Sequence, residues 1–132
     1  MKKIYIAGAG GMLGSAFYEI YSSDYNIKCT DIDINEKWLS LLDFRDLDKY
    51  EKDVTDFGSD YLFHLGAYTD LEFCEKNIEE TYATNTISVE NATFIANKMN
   101  IPLLYISTAG IFDGKKSVYD DWDLPNPIGH YA

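Results

Sequence analysis

A chain of 132 residues, 46% hydrophobic and 15% aromatic, is long enough for one folded domain and too apolar for a disordered one. A formal net charge of −11 repels a phosphate backbone and argues against nucleic acid as a partner, although main-chain amides can still hold one nucleotide's phosphates locally. No apolar run reaches the roughly 18 residues of a membrane span.

The first residues, MKKIYIAGAGG, start like a leader peptide, with two lysines before an apolar run. Glycine interrupts that run at once and no cleavage site follows, so residues 3–7 read as a first strand. Residues 14–23 predict a helix with Phe17, Ile20 and Tyr21 on one side. Residues 26–31 predict a second strand, the run Trp38–Leu42 a third, residues 46–56 a polar helix and residues 60–66 a fourth strand. A long helix follows at about 75–99, where Ile78, Tyr82, Asn85, Val89, Ala92, Ala96 and Met99 recur at steps of four and three. Residues 102–107 predict a fifth strand. Strands alternating with helices imply an α/β fold, a Rossmann-like doubly wound parallel sheet with right-handed crossovers.

Asn85 interrupts the apolar stripe. A buried amide left unpaired costs about 1–3 kcal/mol, so it is expected to tie down a neighbouring loop, which can also be the loop that shapes the site. His64, within the fourth strand, reads as a satisfied core histidine. Cys29 and Cys74 are far apart, lack metal-ligand spacing and sit among apolar residues. They read as small buried hydrophobes of a reducing, cytoplasmic compartment, and no metal site is expected.

The stretch IAGAGGMLGS lies between the first strand and the first helix. A helix N-terminus there offers unpaired N–H groups and the positive end of its dipole to a diphosphate, provided the backbone can come close. The spacing is G-x-x-G-x-x-G over Gly8, Gly11 and Gly14. By role, Gly8 makes the tight turn, Gly11 leaves room for phosphates and Gly14 lets the helix pack. Asp31 and Asp33 follow 23 and 25 residues after Gly8, near the position of a ribose-binding acid. A carboxylate there accepts from ribose hydroxyls and repels a 2′-phosphate, and no arginine adjoins it in sequence. NAD(H) is therefore favoured, with NADP(H) left open, and Asp31 is preferred because it closes the strand.

These motifs together resemble the extended branch of the short-chain dehydrogenase/reductase superfamily, nearest to the dTDP-4-dehydrorhamnose reductase family and its sugar-nucleotide-modifying relatives. GAGGMLG (8–14) is similar to that family's glycine loop and brings in Met12 and Leu13. DFRD (43–46) sits where relatives line the adenine pocket, which puts Asp43 and Phe44 beside the base. GAYTDLEFCE (66–75) resembles the family segment after the fourth strand, which implies coenzyme contacts from Leu65, Gly66, Ala67 and Tyr68. Asn85 falls on the family's helix asparagine. YISTAGIFDG (105–114) is similar to I-S-T-D-Y-V-F-D-G, with Ala109 and Gly110 in place of D-Y, so the sugar's identity stays open. YDDWDLPNPIGHY (119–131) resembles Y-x-E-x-D-x-P-x-P-x-x-x-Y, with Asp121 in place of the glutamate.

The resemblance implies hydride transfer between nicotinamide and a sugar carbon. Thr108 would hydrogen-bond the reacting oxygen and Tyr131 would be the general acid. Without it, Thr108 reads as a hydroxyl bonding its own loop. His130 has no matching role and reads as loop. In the family that tyrosine belongs to Y-x-x-x-K, whose lysine would fall beyond residue 132. Residues 1–132 are thus expected to be an NAD(P)-binding portion, truncated after about five strands, with the lysine helix and substrate lobe outside it. The fifth strand, apolar on both faces, would be an unpaired edge, which predicts a homodimer through that edge, partner binding or low stability. Three functions remain open: a nucleotide-sugar reductase, epimerase or dehydratase lineage; a non-catalytic dinucleotide-binding or regulatory module; and an interaction protein with a vestigial loop.

Overall fold

Lys3–Ala7 form β1, the centre of the sheet in the computed structural model, which describes residues 1–132. Side chains alternate across a strand, so β1 serves two cores. Tyr5 and Ala7 face one cluster with Leu42, Tyr50, Val54, Leu62, Ala92, Ile95 and Ala96. Ile4 and Ile6 face the other with Ala9, Cys29 and Leu39. Burial on both faces explains why β1 is a continuous apolar run with no polar alternation.

The remaining elements are α1 (Met12–Tyr21), β2 (Asn26–Asp31), β3 (Leu39–Leu41), α2 (Leu47–Phe57), β4 (Tyr61–His64), α3 (Leu71–Lys76), α4 (Ile78–Tyr82), a π-helical turn (Ala83–Ile87), α5 (Ser88–Met99) and β5 (Leu103–Tyr105). A short 3₁₀ turn covers Ala109–Ile111. All five strands are parallel, in the order β3-β2-β1-β4-β5. The expected doubly wound α/β sheet is therefore present. No helix is long and apolar enough to cross a membrane. Both cysteines are buried and unpaired, and burial pushes the Cys29 thiol up to about 12.

Local chemistry accounts for the termini. The Asp46 carboxylate accepts from the Lys49 amide and caps α2, which ends at Gly58 with φ 70°. The first helix starts at Met12, two residues earlier than expected, because Gly11 serves as its N-cap. Its inner face is Phe17, Tyr18 and Tyr21, with Tyr18 stacked on Trp38 at 4.4 Å, whereas Ile20 is exposed.

The long helix expected at 75–99 is three helical pieces and a π turn. Asn77, at φ −127° and ψ 61°, breaks the helix, and the wide turn at Ala83–Ile87 then rotates the faces. Ala92 and Ala96 are buried and Met99 packs on the core, as the stripe predicts. Cys74 and Thr81 before the π turn and Thr84 within it are buried, while Ile78 and Tyr82 are exposed. The fifth strand is also shorter than expected. It pairs only with β4, and Tyr105 and Ile106 are 48% and 47% exposed, so it is an edge strand without two buried faces.

Candidate functional site

The β1–α1 loop is pinned to the sheet by its own backbone. The Gly8 and Ala9 amides donate to the Thr30 carbonyl at 2.9 and 3.0 Å. Gly8 has φ 74°, in the left-handed region, and a Cβ there would lie 2.2 Å from Gly66 Cα. The end of β1 and the end of β4 thus touch backbone to backbone. A Cβ on Gly14 would lie 2.2 Å from the Ala9 carbonyl oxygen, so α1 seats against the loop itself. Gly11 differs, since a Cβ there would meet nothing within 4 Å. It faces open space at the head of α1, and no side chain caps the first-turn amides. Two of the three glycines are required by close packing, and the third leaves room in front of a helix N-terminus.

Asp31 ends β2 and reaches back to this loop. Its Oδ2 accepts from the Gly10 amide at 2.8 Å and its Oδ1 from the Asp33 amide at 3.0 Å. Gly10 was not singled out by spacing, yet a Cβ there would lie 3.0 Å from the Asp31 carboxylate. Asp33 is exposed and stands outside the crevice, because the chain turns away once its amide is bonded to Asp31. That candidate is not brought to the site.

The other coenzyme candidates, except Asn85, converge on a crevice of about 440 Å³ that Tyr131 also lines. It is lined by Gly8, Gly11, Met12, Leu13, Gly14 and Asp31, by Asp43 and Phe44, and by Leu65, Gly66, Ala67 and Tyr68. Thr84 and Arg45 also line it, and neither was expected from sequence. A Cβ on Gly66 would lie 2.3 Å from the Phe44 ring, so the ring's position depends on that glycine. Arg45 lines the same crevice as Asp31, although no arginine adjoins Asp31 in sequence. Its charge is engaged: Nε donates to Asp43 Oδ1 at 2.9 Å and Nη2 to Oδ2 at 2.7 Å. This pairing holds the Asp43 carboxyl below the usual carboxylate range. Glu80 Oε1 lies 3.7 Å from the same guanidinium and accepts from the Tyr68 hydroxyl at 2.7 Å, which raises the Tyr68 pKa.

Asn85 is half-buried and does what its misfit position suggested. Its Oδ1 accepts from the Tyr68 amide at 2.8 Å and its Nδ2 donates to the Tyr68 carbonyl at 2.9 Å. A second cavity of about 610 Å³ adjoins the crevice and shares Ala67, Ile106, Ser107 and Tyr131 with it. Thr108, Tyr131 and Asn85 line this second cavity. Thr108 Oγ1 accepts from the Gly110 amide at 3.1 Å and caps the 3₁₀ turn, so its own proton remains free to donate. The tail carrying Tyr131 is held by Glu75 of α3, whose Oε1 accepts from the His130 amide at 2.7 Å. Upstream, Asp113 gathers residues 113–126 by accepting from Tyr119 Oη at 2.6 Å and Asn126 Nδ2 at 3.0 Å, and these bonds lower its pKa. Glu75 and Asp113 lie in the motifs GAYTDLEFCE and YISTAGIFDG but were given no role, since each partner lies in a loop far along the chain or without periodicity. No cluster of His, Cys, Asp or Glu is arranged to hold a metal ion.

A strand order of 3-2-1-4-5 with a glycine-lined helix head at the carboxyl ends of the strands defines a Rossmann-like dinucleotide-fold protein. The chain belongs to the RmlD substrate-binding-domain family, whose model matches residues 1–132. It is 28% identical to dTDP-4-dehydrorhamnose reductase of Aggregatibacter actinomycetemcomitans, over 100% of this chain and 44% of that protein. It is 26% identical to the probable low-salt glycan biosynthesis reductase Agl14 of Haloferax volcanii, over 97% and 44%. Among solved structures, dTDP-4-dehydrorhamnose reductase of Bacillus anthracis in complex with NADP matches with a TM-score of 0.88 and 28% identity, over 99% of this chain and 45% of that one. The chain thus spans about 44% of the length of these curated relatives.

Proposed function

We propose that residues 1–132 are the nicotinamide-coenzyme-binding portion of a nucleotide-sugar reductase of the dTDP-4-dehydrorhamnose reductase type. The observation that carries this is the open space at Gly11, set between two glycines that close packing requires. The crevice in front of α1 suits a diphosphate: bare backbone, uncapped amides and the positive end of a helix. Met12, Leu13, Asp43, Phe44 and the 65–68 segment would enclose the rest of the dinucleotide. Asp31 would accept from ribose hydroxyls on the lone pairs that its two backbone amides leave free.

The coenzyme, when bound, supplies or accepts a hydride. The chain's own contribution is proton management at the adjoining cavity. Thr108 would donate a hydrogen bond from its free hydroxyl to a substrate carbonyl oxygen, and Tyr131 would deliver the proton. Given the span of the relatives, hydride transfer itself is proposed for the longer polypeptide that they represent.

NAD(H) is the proposed preference. The Arg45 guanidinium is already held by Asp43 and faced by Glu80, and Asp31 adds a third carboxylate to the same crevice. The competing choice, NADP(H), draws on the NADP complex of the Bacillus anthracis relative and on the presence of Arg45 in the crevice. Calorimetric titration with NADH and NADPH tests both levels. NADH is expected to bind more tightly than NADPH, and Gly11→Val is expected to keep the melting temperature while weakening binding at least about tenfold, or about 1.4 kcal/mol. No heat with either coenzyme defeats the reading.

A further inference from the structure

His64 sits at the carboxyl end of β4, fully buried, and its two ring nitrogens face two different elements. Nδ1 lies 3.1 Å from Tyr50 Oη on α2. Nε2 lies 2.9 Å from Ser88 Oγ, the first residue of α5. Ser88 Oγ also bonds the Thr84 carbonyl inside the π turn. A carbonyl can only accept, so Ser88 donates its one proton to Thr84 and must accept from the ring. That makes Nε2 the protonated nitrogen and leaves Nδ1 to accept from Tyr50. The result is a directed chain, Tyr50 to His64 to Ser88 to Thr84, that ends in the backbone of the turn.

The π turn carries Asn85, whose amide holds both backbone groups of Tyr68. Tyr68 is part of the crevice wall, and Thr84 lines the crevice as well. A five-residue turn with wide hydrogen bonding is a weak element by itself and is commonly found where function requires a particular side-chain placement.

We propose that His64 is a positioning residue: through Ser88 it fixes the π turn so that Asn85 holds the Tyr68 wall of the crevice in place. The consequence for coenzyme rests on the function proposed above, whereas the latch itself does not. The contact with Tyr50, on the opposite side of the ring, stabilises the core and has no part in the latch.

The test compares four variants by Tyr68 amide hydrogen exchange, NADH affinity and melting temperature. Ser88→Ala and His64→Leu are expected to speed Tyr68 exchange and weaken NADH binding, each about tenfold. His64→Gln, whose amide reaches Ser88, is expected to restore both. Tyr50→Phe is expected to lower the melting temperature and leave Tyr68 exchange and NADH affinity as they were. Tyr68 exchange that follows Tyr50 as closely as Ser88, or that follows neither, overturns the proposal. Tyr68 exchange that follows Ser88 in a protein binding neither NADH nor NADPH supports the latch and removes the coenzyme reading alone.

Discussion

Around the His64 ring stand Tyr50, Ser88, Phe44 at 4.7 Å and Tyr105 at 6.5 Å, none of them charged at neutral pH. Nothing compensates a proton on the ring, and burial pushes its pKa down from 6.5 to about 4. The unfolded chain takes up that proton near pH 6.5 and the folded chain refuses it until about pH 4. Stability from this group is therefore complete above pH 6.5 and is lost as pH falls through the window to about 4, by roughly 3 kcal/mol in total. Urea denaturation across that window is expected to show a steeper fall for the wild type than for His64→Gln. Equal slopes would show that His64 does not titrate there. The role of His64 as a core histidine was legible because a lone imidazole in an apolar strand has few alternatives. Gly8 and Gly14 were legible for a related reason, since a residue without a side chain marks a place where none fits. Gly10 and Arg45 were not singled out, and Gly66 came only through the family resemblance, because what constrains them comes from elsewhere in the chain: Asp31, Asp43 with Glu80, and Phe44.

At the scale of elements, the informative failure is the helix after β4. Apolar periodicity assumes 3.6 residues per turn and an apolar inner face. Both assumptions lapse between Asn77 and Ser88. The π turn lengthens the repeat, and the inner face there consists of Thr81, Thr84 and Ser88. Exposed Ile78 and Tyr82 carry the apolar signal instead. Asn85 was still recognised, because a misfit amide signals a partner whatever the register. The inner face is not fully satisfied: Thr81 Oγ1 and Thr84 Oγ1 are buried without a hydrogen-bond partner. A buried hydroxyl in that state costs about 1–3 kcal/mol, and valine has nearly the same shape. Thr81, unlike Thr84, lines neither cavity, so its substitution isolates the packing effect. Thr81→Val is expected to raise the melting temperature by about 4 °C for each kcal/mol recovered. A lower melting temperature would mean that the hydroxyl does bond a partner in solution.

For the molecule as a whole, the alternation of strands and helices was enough to read a parallel sheet, and the central position of β1 follows from its apolar run on both faces. The sheet edge decides a property that no single element shows. β5 has β4 on one side and no strand on the other. The segment after it exposes Trp122 and Leu124, at 92% and 87%. An open strand edge and exposed apolar side chains each favour self-association, although at three residues β5 is short enough to blunt the edge. Against association stands a net charge of −11 on every copy. Salt weakens the charge term and not the apolar one, since the screening length falls from about 30 Å at 0.01 M to about 3 Å at 1 M. The balance should therefore shift with ionic strength. Sedimentation equilibrium is expected to show a monomer at low salt and a growing dimer fraction as salt rises. Trp122→Lys and Leu124→Lys together are expected to suppress the dimer without lowering the melting temperature, because neither side chain is buried in the monomer. A monomer at every salt concentration would mean that repulsion and the short edge outweigh the apolar surface, and the homodimer reading would fall.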